Sequence, residues 1–585
     1  MTGSQPGNAR GDLSGRPVMV VIDGDREARD RISAELERRY ANDYDLVTEL
    51  SHAAGLAALD RLWEAGAAVC LALCSRDESG RRAEEELFDR VHARWPAARR
   101  LLMVRWGEWA DRSTADAIHR LMGQGRIDYY GIKPWWTPDE YFHRTVTELL
   151  LEWERAASPR RREVTVVAAQ WSPRAYELRN LLARNGVPHD YHPSDSASGR
   201  KLLEESGLAG IDAPVVILHD GRTLVDPTNA DVAEAYGVAT RLEADSTFDV
   251  IIIGAGPAGL AAAVYATSEG LRTLVVERES IGGQAGSSSL IRNYLGFARG
   301  VSGAELAQRA YQQAWVFGAR FLLMREAARL SREGGRHVLV TGEGEQARAR
   351  AVVLATGVRY RRIAVPELEA LEGAGVFYGA SVSEAGALAG EDVFVVGGGN
   401  SAGQAAMYLA RYARTVTLLV RGGSLAESMS SYLQDQIASA GIAVRFGVEV
   451  VGGGGEGRLE RIELRDRGSG RTWTERAAAL FVLIGARPHT DWLPAEVERD
   501  RWGYLLTGTD VATGHAASRW PLERPPLGFE TCVPGVFAVG DVRRRSIKRV
   551  ASAVGEGSVV VQQVHEFLAG MPEPGPLPAG SGSGR

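Results

Sequence analysis

The feature that most constrains this chain is a glycine loop set between two apolar runs. Residues 249–253 read as a buried strand and run directly into Gly254-Ala255-Gly256-Pro257-Ala258-Gly259, and an alanine-rich helix pattern follows. The next apolar run, 271–276, ends at Glu277. Each part has a physical reason. Gly254 permits a tight turn, Gly256 lets the backbone approach a pyrophosphate, and Gly259 lets helix and strand pack closely. The helix N-terminus offers free N–H groups and a positive dipole end to phosphates. Glu277 stands where an acid accepts hydrogen bonds from ribose hydroxyls. Strand, loop, helix, strand and acid in this order predict a dinucleotide site on a parallel α/β sheet.

A second unit of the same kind covers 392–421. The run 393–396 enters Gly397-Gly398-Gly399-Asn400-Ser401-Ala402, a helix pattern continues to about Arg411, and the run 416–420 ends at Arg421. A cation replaces the acid here. A carboxylate at this place repels a 2′-phosphate, whereas an arginine pairs with one. NADPH is therefore expected ahead of NADH. With 68 glycines in 585 residues, the chain exceeds the usual level of about 7% without the every-third spacing of collagen. A further glycine cluster, 452–455, reads as a turn between strands, because no helix follows it.

Cysteine is scarce, with three in the chain: Cys70, Cys74 and Cys532. That count excludes a disulfide-stapled secreted scaffold and any four-cysteine zinc or iron–sulfur centre. The net charge of -6 argues against a nucleic-acid groove or a polybasic membrane surface. The longest apolar stretch, 250–266, is broken by Gly254, Gly256, Pro257 and Gly259, which suit a turn and not a membrane helix. Residues 1–17 lack the apolar core of a signal peptide. The expectation is a cytoplasmic protein with no nucleic-acid or membrane partner and no bound metal.

Two blocks precede the glycine loops. The first, 17–155, alternates apolar runs at 18–22, 67–74 and 100–104 with helical patterns, which predicts a parallel sheet. Cys70 and Cys74, four apart on one predicted strand, are expected buried on the same face. A basic link follows at 156–162. The second block, 163–240, opens with a strand at 164–169, then a helix over 173–185 and a strand pair around 213–218. Segments 247–371 and 489–570 are expected to form one nucleotide-binding domain, with 372–488 inserted as the other. The Pro-, Gly- and Ser-rich end, 571–585, is expected to be disordered.

From 248 to 568 the chain resembles low-molecular-weight thioredoxin reductase. Besides the two loops, the resemblance rests on Gly282-Gly283-Gln284, Asn293-Tyr294, Ala355-Thr356-Gly357, Gly540-Asp541 after the run 536–539, Lys548-Arg549-Val550, and the return Ile484-Gly485-Ala486-Arg487-Pro488. It implies FAD held by Gly254, Gly256, Pro257, Ala258, Gly259, Glu277, Gly283, Gln284, Asn293, Ala355, Thr356, Gly357, Gly540, Asp541, Arg549 and Val550. It implies NADPH held by Gly397, Gly399, Asn400, Ser401, Ala402, Arg421 and Gly485, and it implies a homodimer. In that family electrons pass from flavin to a Cys-x-x-Cys pair just before the second loop. Here the pair falls on Ala380 and Ser383, and the chain holds no Cys-x-x-Cys at all. A serine does not substitute, because disulfide exchange needs a thiolate. Glu384 keeps the acid that follows the pair, as a proton donor or as a helix cap. Gly422 and Ala426 stand where the family implies further arginines for the 2′-phosphate.

The front blocks show the same loss. Residues 17–155 resemble a response-regulator receiver domain, and Lys133-Pro134 matches its lysine–proline pair. Asp23-Gly24-Asp25 supplies one acid fewer than a receiver's Mg²⁺ site. Cys74 stands near the phosphoacceptor position, with Asp77 the remaining candidate acceptor, and Arg105 follows the fourth strand where Ser or Thr is implied. Residues 163–240 resemble a thioredoxin or glutaredoxin-like domain. There Trp171-Ser172-Pro173-Arg174-Ala175 replaces Trp-Cys-Pro-x-Cys, and Ala213-Pro214 takes the place of the fold's cis-proline. The whole order resembles the bacterial family described as fused response regulator/thioredoxin-disulfide reductase.

The expected function is that of an FAD-dependent NAD(P)H oxidoreductase whose acceptor is external, a small molecule or a redox protein. One alternative is a flavin-based redox sensor or docking protein, with the front blocks binding a protein partner. The other is a disulfide reductase by a non-standard route through Cys532 or Cys74. Loss of the dithiol also removes the family's reason to rotate its NADPH domain, so a narrower range of domain motion is expected.

Overall fold

The computed structural model describes residues 15–76, 83–157, 163–242, 246–288, 291–379, 388–513 and 520–570. Asp77, Ala380, Ser383, Glu384 and the tail 571–585 lie outside them. The chain divides into two compact units, Met1–Arg160 and Arg161–Arg585.

The first unit alternates β1 (Val18–Ile22), α1 (Arg26–Tyr40), β2 (Asp45–Glu49), α2 (His52–Glu64), β3 (Val69–Ser75), α3 (Ala83–Arg94), β4 (Arg99–Val104), α4 (Arg112–Gly123), β5 (Tyr129–Ile132) and α5 (Glu140–Ala157). Its five parallel strands run in the order β2-β1-β3-β4-β5. β1 and β3 are buried throughout, as strands covered on both faces must be. Asp25 starts α1 by accepting from the backbone N–H groups of Glu27 and Ala28.

Strand pairing corrects one expectation. Val18 pairs with Val69, but Met19 pairs with Leu71, so Cys70 is an extra residue in a β-bulge. The bulge reverses the alternation of faces. Cys70 joins Met19, Leu71 and Ile32 on one side of the sheet, while Cys74 joins Val69 and Phe88 on the other. Both are fully buried, but on opposite faces. Burial pushes the Cys70 thiol up to about 12.

At the end of β3 the Cys74 thiol lies in the core, and the next residue, Ser75, closes the strand beside Asp23. Ser75 Oγ donates to Asp23 Oδ2 at 2.6 Å, and Lys133 Nζ lies 2.7 Å from that same oxygen.

The second unit begins with β6 (Val164–Ala168), α6 (Pro173–Arg184), β7 (His189–Pro193), α7 (Ala197–Glu205), β8 (Val215–Leu218), β9 (Thr223–Val225) and α8 (Asn229–Ala235). The sheet order is β7-β6-β8-β9, parallel between β6 and β7 and antiparallel elsewhere. Ser172 caps α6 by accepting from Ala175 N at 3.2 Å, and Pro173 opens the first turn. The Ala213–Pro214 bond is trans, against expectation; the cis bond among the described residues is Thr137–Pro138. Trans is the lower-energy state of an X–Pro bond.

β10 (Thr247–Ile253), α9 (Pro257–Ser268) and β11 (Thr273–Glu277) follow. β10 sits centrally in a seven-stranded sheet, between β11 and Gln346–Leu354, and Val536–Ala538 pairs on the far side of Gln346–Leu354. A separate five-stranded parallel sheet is built from Val376–Tyr378, Ala479–Val482, Asp392–Val396, Thr415–Val420 and Ala443–Phe446. The chain passes between the two sheets through an antiparallel pair, Val358–Tyr360 with Ala486–Pro488.

Most of the glycine cluster 452–455 lies in a strand, and Gly455 opens the connection to the next one. Gly452, Gly453 and Gly454 belong to the strand Val448–Gly454, paired with Arg461–Asp466. A Cβ on Gly453 would meet Arg461 O at 2.8 Å, so close backbone approach, not turn formation, requires glycine here. Among the described residues, no helix is long and apolar enough to cross a membrane.

Candidate functional site

The first glycine loop is held open from below. A Cβ on Gly259 would lie 1.9 Å from Gly254 O, so glycine is what lets α9 pack on the loop. Gly254 has φ +106°, and a Cβ there would meet Ala355 O at 2.4 Å. Gly256 is the N-cap of α9 and provides no side-chain cap, which leaves the first N–H groups of the helix for a ligand. Glu277, at the end of β11, is nearly buried. Its Oε2 accepts from Ala255 N at 2.8 Å and its Oε1 from Glu279 N at 2.8 Å. Burial raises its pKa, and these two N–H groups act in the opposite direction. Glu277 thus also fixes the loop itself.

A second helix N-terminus arrives beside the first. The helix Val550–Ala569 packs across α9 so closely that a Cβ on Gly557 would meet Ala258 O at 2.2 Å. Its N-cap, Arg549, makes no side-chain cap either. The turn before it is braced by Glu556, which accepts from Gly540 N at 2.7 Å and pairs with Arg543 at 2.6 Å. Lys548 Nζ donates to Asp541 O at 2.5 Å. Burial raises the Asp541 carboxyl and lowers the Lys548 ammonium.

These elements enclose a cavity of about 380 Å³. Of the residues expected to hold FAD, Gly254, Gly256, Pro257, Ala258, Glu277, Gly283, Gln284, Ala355, Thr356, Gly357, Gly540, Asp541, Arg549 and Val550 line it. Gly259 lies beneath the loop and packs it. Asn293 is exposed and does not line the cavity.

The second loop has the same local form. Gly399 is the N-cap of Asn400–Leu409 without a side-chain cap. Gly397 is needed because a Cβ there would meet Leu483 O at 2.5 Å. Asn400 Oδ1 accepts from Ser430 N at 2.9 Å, and Ala402 is buried under the loop. Gly485 O accepts from Arg361 N at 2.9 Å at the crossing between the sheets. Arg421 ends its strand exposed, and its carbonyl accepts from Arg467 Nη1 at 3.2 Å. Ser401, in the first turn of this helix, lines the cavity of the first loop.

Residues 248–557, more than half of the chain, match the pyridine nucleotide-disulphide oxidoreductase family. The chain belongs to that family. This oxidoreductase is 30% identical over 330 residues to the 34.2 kDa protein in rubredoxin operon of Clostridium pasteurianum, a match covering 56% of this chain and 100% of that protein. It is 31% identical over 324 residues to the thioredoxin reductase of Treponema pallidum (strain Nichols), covering 55% and 98%. The crystal structure of T. acidophilum thioredoxin reductase aligns at 26% identity over 56% of this chain and 100% of that one, with a TM-score of 0.49.

The residues of the oxidoreductase's cavity suit FAD: two uncapped helix N-termini line it and favour an anionic group, and the glycines leave room that a Cβ would fill. Gly254, Gly256, Pro257 and Ala258 would hold the pyrophosphate and Glu277 the adenosine ribose. The sequence did not point to Arg184, Arg325, His489 or Trp492, which line the same cavity. His489 directly follows the return segment, a positional signal that was present in the chain. Its carbonyl accepts from Thr356 Oγ1 at 2.9 Å, and burial lowers its ring pKa to about 4. Arg184 carries no local signal.

Proposed function

We propose that this oxidoreductase uses FAD and NAD(P)H to deliver electrons to an external acceptor, a small molecule or a redox protein, and not to a dithiol of its own. The observation that carries this reading is Ser401, which belongs to the second nucleotide loop yet lines the cavity of the first. Thioredoxin reductase-like members of the family bind FAD and NADPH, and bound FAD supplies a ring that accepts hydride and passes electrons on. The chain's own residues then have separable tasks. The uncapped N–H groups hold phosphates, Glu277 fixes the first loop, and Arg421 selects a 2′-phosphate. Pre-set loops keep the two nucleotides in register.

The cysteines support an external acceptor. No Cys-x-x-Cys exists in the sequence. Cys532 does not line the cavity; its Sγ donates to Glu496 O at 2.8 Å and accepts from Glu498 N at 3.2 Å. Burial raises its pKa, which disfavours the thiolate. We read the front blocks as receiver-like and thioredoxin-like, from their strand orders and motifs. A homodimer is proposed from the family resemblance alone.

A second reading, a flavin-based sensor with docking modules, is favoured by two observations. Asp23 is already engaged by Ser75 and Lys133, and Ser172 is a helix cap. Anaerobic titration with NADPH and NADH separates the readings. Bleaching of the flavin, followed by reoxidation with a quinone, oxygen or a redox protein, supports the oxidoreductase. Flavin binding without bleaching by either nucleotide overturns it in favour of the sensor.

A further inference from the structure

The family match begins at residue 248, yet the flavin-side cavity is lined in part by Arg184, from the block before it. Arg184 is the last residue of α6, whose Ala175, Leu178, Leu181 and Leu182 are buried in that block. The guanidinium is therefore presented by a packed helix. Its side chain is 12% exposed. Nη1 pairs with Glu279 Oε1 at 2.5 Å, Nη2 donates to Gly283 O at 3.2 Å, and Nε is buried without a partner. The neighbouring Asn185 Oδ1 accepts from Ile281 N at 3.3 Å. The end of α6 thus grips the segment that closes over Gly256, where a Cβ on Gly283 would lie 3.2 Å from Gly256 Cα.

A buried guanidinium is costly unless its charge is matched at close range. Glu279 matches it only in part, because that carboxylate side chain is 43% exposed and solvated. The remaining positive charge sits beside a loop shaped for phosphates. The geometry points to Arg184 as a cofactor-binding residue supplied by the thioredoxin-like block, with its guanidinium the counter-charge to the pyrophosphate of the dinucleotide on loop 254–259. The front block is then part of the flavin site and not an appended module. This inference rests on the reading that the cavity takes FAD.

The test is titration of FAD into the flavin-stripped full chain, followed by the quenching of flavin fluorescence. Arg184→Gln is expected to weaken FAD binding about tenfold or more, as loss of a charge-assisted contact does, and Arg184→Lys to restore part of it. Glu279→Gln frees the guanidinium and is expected to bind FAD as tightly as the native chain or more so. If Arg184 only ties the two blocks together through Glu279, then Glu279→Gln and Arg184→Gln weaken binding equally, and the inference is overturned. Unchanged affinity in Arg184→Gln overturns it too, and leaves the proposed function standing. A native chain that binds no FAD overturns both. Circular dichroism of each stripped variant establishes that it is folded.

Discussion

Tyr176 and Phe377 lie ring against ring, with centroids 5.3 Å apart and planes tilted by 49°. The first belongs to α6 and the second to the five-stranded parallel sheet. Gly373 closes the same contact, since a Cβ there would meet Tyr176 at 3.0 Å and Pro173 Cα at 3.1 Å. Arg458 lies over the Trp171 ring at 5.6 Å. The other end of α6 holds Glu279 and Gly283 beside the cavity of the first loop. One helix therefore touches both the five-stranded sheet and the segment beside the first glycine loop.

That brace predicts a single relative orientation of the two sides. Spin labels at Ser268→Cys and Ser439→Cys, in a Cys532→Ser background, should give one narrow distance distribution. Tyr176→Ala should broaden it. Two distances of comparable population in the native chain would remove the case for a brace.

Gly259→Ala tests the first loop. The added Cβ would meet Gly254 O at 1.9 Å, and backbone has little freedom to yield. FAD affinity is expected to fall more than tenfold, with a loss of about 1–3 kcal/mol of stability from overpacking. Flavin retention on purification and thermal unfolding of the stripped chain report the two effects separately.

Arg421→Ala tests the choice of nucleotide. The side chain is exposed at the strand end, so its removal should leave the fold unchanged. The KM for NADPH is expected to rise about tenfold with kcat held, while NADH kinetics stay the same. Equal effects on both nucleotides would rule out a 2′-phosphate contact.

What was legible in the sequence follows from where glycine is unavoidable. Gly259 faces a backbone oxygen five residues back, closer than a Cβ allows, and the glycine spacing between strand and helix patterns marks both loops locally. Faces set by pairing were less legible. The bulge at Cys70 depends on the register against β1, a long-range fact that a period of two cannot carry. The glycines 452–454 looked like a turn, yet they lie in a strand because of a neighbouring backbone. Arg184 was invisible for the same reason, since its partner Glu279 lies 95 residues away and nothing nearby in the chain marks it.

His337 gives the pH prediction. It sits on the strand Arg336–Thr341, 2% exposed, and burial lowers its imidazole pKa to about 4, with the nearby charge of Arg332 acting in the same direction. Unfolding returns it to about 6.5. Between those values the unfolded chain binds a proton that the folded chain does not, so stability is complete above pH 6.5 and is lost as pH falls toward 4. The full difference is on the order of 3 kcal/mol. His337→Gln cannot titrate and should lack this component. Urea unfolding at pH 6.5 and pH 5 should show the native chain losing roughly 2 kcal/mol more than the variant. Equal losses in both would mean that His337 is protonated normally in the fold, and that another group governs the acid limb.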